Sequence, residues 1–159
     1  MPESVFIETT IPSYLVARRP RDIVQAARQE LTMEWWSRHR QRYELFTSEV
    51  VLDEVARGEP AMAGKRLDAL RGILLVDIDG AVTMLARELV ESGVIPERVP
   101  DDAFHIACAS VHRMDFLLTW NCRHIANPHN QRRIRQILTG HGLEMPVICT
   151  PEGLIEDED

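Results

Sequence analysis

Short apolar runs that alternate with helix-like segments are the feature that most limits how this chain can fold. Five runs have the length of strands, and helical periodicity separates each from the next. Because the runs are apolar at successive positions, they are typical of strands buried on both faces, as in a parallel sheet covered by helices. The sequence therefore predicts an α/β fold with three α/β/α layers and a mostly parallel sheet. The predicted strands are residues 5–7, 44–47, 73–76, 116–118 and 146–149.

Helix-start signals fall where the strand patterns end. Thr10 is the predicted N-cap of the first helix, and Asp22, Ser48 and Asp79 are predicted to cap later helices. The chain shows no internal repeat or linker that would divide it. The predicted later helices are residues 23–42, 49–55, 60–71, 80–92, 130–139, and a segment that begins at 101 or 102 and ends near 113.

Length and composition favour one globular domain. A chain of 159 residues can bury roughly two-thirds of its unfolded surface. No apolar run approaches the ~20 residues that a membrane span needs, and residues 1–4 lack the start of a signal peptide, so a cytoplasmic protein is expected. Three widely spaced cysteines argue against a disulfide framework. Residues 1–151 are predicted to form a single domain, followed by a disordered acidic tail at 152–159.

The net charge of −7 is distributed unevenly. Five acids lie in the last eight residues, so residues 1–151 carry a net charge of only −2. The segment from Phe116 to Leu143 has no Asp or Glu, yet it contains four Arg and three His. Such asymmetry is typical of a surface that binds an anionic partner, and equally of a solvated basic helix.

Polar residues follow the predicted strands where ligands bind in α/β/α domains, outside the carboxyl ends of the strands. Glu8 follows the first strand, Glu54 lies on the helix after the second, Asp101 and Asp102 begin a later helix, and Asn121 follows the fourth strand. Each acid alone has a structural reading, since acids commonly cap helices. Together they can meet at one edge, where carboxylates repel unless a cation binds between them. Oxygen ligands favour Mg²⁺ or Mn²⁺.

Other common α/β sites lack their required residues. Gly64-Lys65 is followed by Arg66, which does not fit a Walker A loop, and neither a Gly-x-Gly-x-x-Gly fingerprint nor a Gly-x-Ser-x-Gly elbow occurs. Lys65 is the only lysine, and its position between the second and third strands does not suit a phospho-acceptor receiver domain. These absences leave the carboxylate site as the leading interpretation.

Four motifs, in order, resemble those of PIN domains. They are FIETTIPSYL from residue 6, TSEVVLDEV from residue 47, DAFHIA from residue 102 and LLTWN from residue 117. The resemblance extends from about residue 5 to residue 151. It implies a metal-dependent ribonuclease and, for a small single-domain protein, a VapC-type toxin that is paired with an antitoxin.

The resemblance assigns four catalytic and metal-binding positions. Carried over to this sequence, they fall on Glu8, Glu54, Asp102 and Asn121, with Mg²⁺ or Mn²⁺ as the implied cofactor. The first and fourth are normally Asp. Glu8 adds a methylene, which moves its carboxylate by about 1.5 Å, and Asn121 removes one negative charge, so weaker metal binding than in a four-acid site is expected.

Several neighbouring residues are secondary candidates. Thr9 and Thr119 are expected either to hydrogen-bond near the site or to be turn residues, and Asp101 adjoins an implied ligand. His105 lies three residues after Asp102, where a packing or polar contact is favoured over catalysis. The candidate phosphate contacts are Arg123, His124, Arg132, Arg133 and Arg135.

Two hypotheses follow. The first is an endoribonuclease toxin that cleaves RNA, forms a homodimer through the apolar side of the helix predicted at 23–42, and is inhibited by a small antitoxin. The alternative is a degenerate PIN domain that binds RNA or a protein without chemistry, and the unusual Glu8 and Asn121 motivate it. Divalent-cation binding together with RNA turnover distinguishes the two.

Overall fold

A five-stranded parallel sheet is the centre of the computed structural model, which describes residues 1–157. The strands are β1 Ser4–Ile7, β2 Glu44–Thr47, β3 Leu74–Leu75, β4 Phe116–Leu118 and β5 Val147–Cys149. They are arranged in the order β3-β2-β1-β4-β5, and every described pairing is parallel. Helices flank the sheet, so the predicted three-layer α/β/α fold is confirmed.

Three of the predicted helix caps are present. The side chains of Asp22, Ser48 and Asp79 each accept a hydrogen bond from a backbone N–H in the first turn of the helix that follows. The prediction for Thr10 is wrong: it is the first residue of its helix, and its hydroxyl donates to Glu8 instead. The helices are α1 Thr10–Val16, α2 Ile23–Glu34, α3 Glu49–Val55, α4 Pro60–Ala69, α5 Gly80–Glu91, α6 Pro100–Val111 and α7 Pro128–Gly140.

The helix predicted at 23–42 changes form part-way along. After α2 the chain continues as a π-helical turn, Trp35–His39, and then a 3₁₀ turn, Arg40–Arg42. Trp35 is fully buried and stacks on Tyr43, whereas Trp36 packs beneath the guanidinium of Arg40. The irregular turn falls where two bulky indoles with different partners follow each other, which a regular periodicity does not anticipate.

The carboxyl ends of β1 and β4 form the switch point of the sheet. From β1 the chain runs outward to β2 and β3, and then returns to the other side of β1 for β4 and β5. The connections from β1 toward β3 and the connections toward β5 run in opposite directions along the sheet. Because such crossovers are right-handed, their helices lie on opposite faces of the sheet. The crevice between β1 and β4 is therefore where a ligand site is expected. Ile7 pairs with Leu118, which brings Glu8 beside Thr119.

The predicted acidic tail begins within ordered structure. Pro151–Leu154 forms a 3₁₀ turn and Leu154 is buried, so the chain is packed further toward its end than the prediction placed it. The last two residues of that tail, 158 and 159, lie outside the described residues. Among the helices of residues 1–157, none has both the length and the apolar character to cross a membrane.

Candidate metal centre

Glu8 occupies the switch point, directly after β1, and its side chain is buried, with 2% of its surface exposed. Its Oε1 accepts hydrogen bonds from the backbone N–H of Thr10 at 3.0 Å, from the Thr10 hydroxyl, and from the Thr119 hydroxyl at 2.7 Å. Its Oε2 accepts no hydrogen bond from residues 1–157. One carboxylate oxygen is therefore fixed by the protein, while the other is available to a ligand.

Glu54 reaches the same place from α3. Its Oε1 accepts a hydrogen bond from the Thr9 hydroxyl and lies 2.9 Å from Nε2 of His105. Its Oε2, like that of Glu8, accepts no hydrogen bond from the part of the chain that the structure describes. Ser48 caps α3 immediately after β2, so the end of β2 sets the position of this helix and of Glu54.

His105 is fully buried on α6 and forms the back of the site. Its Nε2 lies 2.9 Å from the Glu54 carboxylate and 3.5 Å from the Thr9 hydroxyl. The opposite ring nitrogen, Nδ1, is buried and has no hydrogen-bond partner among the described residues. The polar contact expected for His105 is thus present.

Glu8, Glu54 and His105 form the tightest group of candidate ligands. One donor atom from each side chain lies within 4.8 Å of the donor atoms of the other two. Carboxylate oxygens suit Mg²⁺ and Mn²⁺, and an imidazole nitrogen suits transition metals. The Oε2 atoms of both glutamates, which accept no hydrogen bond from the described residues, leave one carboxylate oxygen on each side chain for a bound cation.

Asp102 and Asn121 adjoin this group without belonging to it. Asp102 lies in the first turn of α6 and is 6% exposed. Burial raises the pKa of Asp102, while the neighbouring side chains of Asn121 and His105 act in the opposite direction. The Oδ1 atom of Asn121 accepts the backbone N–H of His124 at 3.0 Å, which fixes the turn after β4.

The electrostatics of the site reflect one imidazole among several carboxylates. Burial raises the pKa of Glu8, opposed by the charge of His105 and by the threonine donors. Burial would also raise the pKa of Glu54, but its hydrogen bond to His105 and that residue's charge lower it overall. For His105, burial would lower the pKa, yet Glu54, Glu8 and Asp102 raise it. His105 is thus the group that most lowers the pKa of Glu54.

The threonines have a clearer role than the sequence could assign. Thr9 and Thr119 each donate a hydrogen bond to a glutamate of the cluster, so neither is only a turn residue. Thr10 was missed as a site residue: besides holding Glu8, its hydroxyl accepts the backbone N–H of Trp120 at 2.8 Å and so connects α1 to the end of β4. The signal for it was the pair of threonines directly after Glu8.

Asp101 is engaged in a salt bridge and does not belong to the cluster. Its Oδ2 accepts a hydrogen bond from Nη1 of Arg57 at 2.8 Å, in a salt bridge between the end of α3 and the start of α6. Of the two adjacent acids, only Asp101 is therefore committed to a salt bridge within the described residues. The sequence left both positions open because either can lie in the first turn of a helix.

The predicted phosphate contacts lie on the loop after β4 and along α7. Arg123 is exposed, and His124 is half-buried, with its pKa lowered by burial and by the charges of Arg123 and Arg98. Arg133 donates to the backbone oxygen of Ser92 at 2.8 Å, which commits part of its guanidinium to the fold. The exposed side chains on α7 are those of Arg132, Arg133 and Arg135.

Comparison with known proteins adds no relative. Neither a protein-family model nor a curated protein matches this chain. The resemblance to PIN domains therefore rests on the four motifs and on the residues that they bring together.

Proposed function

We propose that this protein is a metal-dependent endoribonuclease that hydrolyses RNA phosphodiester bonds and acts as the toxin of a type II toxin–antitoxin pair. The convergence of Glu8, Glu54 and His105 within 4.8 Å at the switch point of a parallel sheet carries the proposal. The two glutamates come from different elements and are both held through one oxygen. This arrangement supports a ligand site better than it supports a packing role alone.

Glu8, Glu54 and His105 would hold Mg²⁺ or Mn²⁺, with Asp102 and Asn121 beside them. When bound, such a cation supplies an activated water and offsets charge that develops on the phosphate. The contribution of the chain is to fix the ligands before the cation arrives. Thr10 and Thr119 hold Glu8, and Thr9 holds Glu54, so little reorganisation of these carboxylates is needed on binding, whereas Nε2 of His105 would exchange its contact with Glu54 for the cation.

RNA is the favoured substrate because basic groups adjoin the acidic cluster. Arg123 and His124 follow Asn121 directly, on the loop that leaves β4 at the same edge of the sheet. Contacts of this kind bind phosphates and position a nucleic acid without reading its sequence.

A cleavage assay tests the proposal. The purified chain is incubated with RNA in Mg²⁺, in Mn²⁺ and in excess chelator, beside Asp102→Asn. Asp53→Asn is the matched control, because Asp53 is an exposed acid next to Glu54 on α3 and makes no hydrogen bond with the described residues. We expect the wild type and Asp53→Asn to cleave RNA when metal is added. We expect Asp102→Asn to lose this cleavage. Equal cleavage by Asp102→Asn, or none by the wild type in any metal, contradicts the proposal.

One observation favours a second candidate, a binding module without catalysis. The Glu8 carboxylate accepts the first backbone N–H of α1, so it also serves as a structural cap for this helix. A glutamate retained for that purpose does not require a cation. RNA binding that is unchanged by chelator, in a protein with no turnover, would support this function instead.

A further inference from the structure

Arg57 connects the two elements that carry Glu54 and Asp102. It lies just beyond the end of α3, and its backbone N–H donates to the backbone oxygen of Glu54 at 3.2 Å. Its guanidinium donates through Nη1 to Asp101, the neighbour of Asp102, at 2.8 Å. A positive group is therefore held at the rim of the acidic cluster.

Most of this guanidinium remains available. The Arg57 side chain is 65% exposed, whereas the side chain of its partner Asp101 is 21% exposed. Within residues 1–157, Nε and Nη2 of Arg57 donate to no acceptor. Arg66 differs in this respect. Its Nε and Nη2 donate to the backbone oxygens of Val55 and Arg57, so these two guanidinium nitrogens are not available to a ligand.

The position of Arg57 complements the basic residues after β4. Arg57 follows the helix after β2, whereas Arg123 and His124 follow β4, and β1 with Glu8 lies between these two strands in the sheet. A polyanion that crosses the carboxyl edge of the sheet at Glu8 needs cationic contacts on both sides, because the carboxylates repel it. The sequence indicated basic residues on one side only.

We propose that Arg57 is a substrate contact that binds a phosphate of the RNA backbone next to the acidic cluster, with Asp101 orienting its guanidinium. This inference rests on the proposed ribonuclease function and names a contact that no motif assigns. The planar guanidinium matches the geometry of a phosphate through two parallel hydrogen bonds, and it retains enough donors for this when one nitrogen is held by a carboxylate.

The test measures how RNA binding depends on salt. Binding of a labelled single-stranded RNA is followed in Mn²⁺ at several salt concentrations, with Asp102→Asn as the background that prevents cleavage. Arg57→Gln, Arg57→Lys and Asp101→Asn are compared with Arg71→Gln. Arg71 is the matched control, because it is an exposed arginine paired with Asp68 at 2.7 Å and lies before β3, at the opposite edge of the sheet.

We expect Arg57→Gln to weaken RNA binding about tenfold at low salt, in line with loss of a charged hydrogen bond. The slope of log K against log salt should fall by about 0.7, the value for one phosphate contact on a single strand. Arg57→Lys should restore the slope but only part of the affinity, because lysine keeps the charge and lacks the planar fork. Asp101→Asn and Arg71→Gln should leave the slope unchanged.

A purely structural bridge gives a different pattern. In that case Arg57→Gln and Asp101→Asn would lower the free energy of unfolding equally and leave the salt slope at its starting value, which would overturn the inference. If the wild type cleaves RNA and Arg57→Gln binds and cleaves RNA equally well, the proposed Arg57 contact is wrong but the proposed ribonuclease function stands. If the wild type neither binds nor cleaves RNA, the proposed function fails, and the Arg57 contact fails with it.

Discussion

Replacing Thr119 by Val isolates the interaction that holds Glu8 in place. The Thr119 hydroxyl is fully buried, donates to the Glu8 carboxylate at 2.7 Å, and accepts the backbone N–H of Asn121 at 2.9 Å. Valine keeps the shape of the side chain and removes only this hydroxyl. The change should therefore destabilise the protein through hydrogen bonding, without leaving a cavity.

The magnitude follows from the charge of the acceptor. A hydrogen bond to a charged group contributes about 1.5–3 kcal/mol, and the Asn121 N–H that loses its acceptor adds to the cost. Thr10 still donates twice to Glu8, so the carboxylate is not left without partners. We expect Thr119→Val to lower the free energy of unfolding by about 2–4 kcal/mol.

Thr47→Val is the matched control. Thr47 is also fully buried at the end of a strand, but its hydroxyl donates to a neutral acceptor, the backbone oxygen of Ile7, at 2.9 Å. Its replacement should cost about 1 kcal/mol. Both variants are unfolded in urea with excess chelator present and followed by circular dichroism, so that no bound cation contributes to stability.

A second background separates charge from packing. In Glu8→Gln the acceptor is neutral while the Asn121 N–H still loses its partner, so the cost of Thr119→Val should fall by about 1 kcal/mol. If Thr119→Val costs no more than Thr47→Val, or costs the same in both backgrounds, Glu8 is not held as a charged carboxylate by this contact. The account of a ligand fixed before metal binding would then be wrong.

Three further predictions concern the metal, the thiols and the exposed face of α2. An imidazole ligand favours a transition metal, so Mn²⁺ should support faster RNA cleavage than Mg²⁺, and His105→Asn should bring the two rates closer. Burial raises the pKa of both Cys108 and Cys149 to about 12. Iodoacetamide at pH 8 should therefore modify only the exposed Cys122, as mass spectrometry of the labelled protein would show. Rapid modification of Cys108 or Cys149 would contradict this. Val24 is 56% exposed on α2, so if that face forms the predicted homodimer, Val24→Glu should halve the mass measured by light scattering, and an unchanged mass would exclude it.

The fold was predictable because its strands are short and mostly apolar and because β1 and β4 are largely buried. The bounds of β2 and β4 agree with the prediction, and three helix caps act where their residue types indicated. The edge strand β3 is shorter than predicted: Leu74 and Leu75 are 56% and 46% exposed, and pairing on one side holds only these two residues in the sheet. Apolar sequence alone does not distinguish an edge strand from a central one.

The site was predictable in position more than in composition. Glu8 and Glu54 meet because one directly follows β1 and the other lies on the helix after β2, a consequence of parallel topology. Which residue of α6 completes the group depends on the rotation of that helix against the sheet. Asp102 and His105 are three residues apart and share a helical face, so sequence spacing cannot decide which of them lies closer to the glutamates.

The rate of RNA cleavage through a cycle of chelation and Mn²⁺ add-back, measured for the wild type and for Glu54→Gln, tests the central claim most directly. We predict that chelator abolishes wild-type cleavage and that added Mn²⁺ restores it. Glu54→Gln should stay at least about a hundredfold slower throughout, since it loses a charged ligand oxygen at the metal. A rate that survives chelation, or a Glu54→Gln protein that recovers the wild-type rate with Mn²⁺, would contradict the assignment of this cluster as a catalytic metal centre.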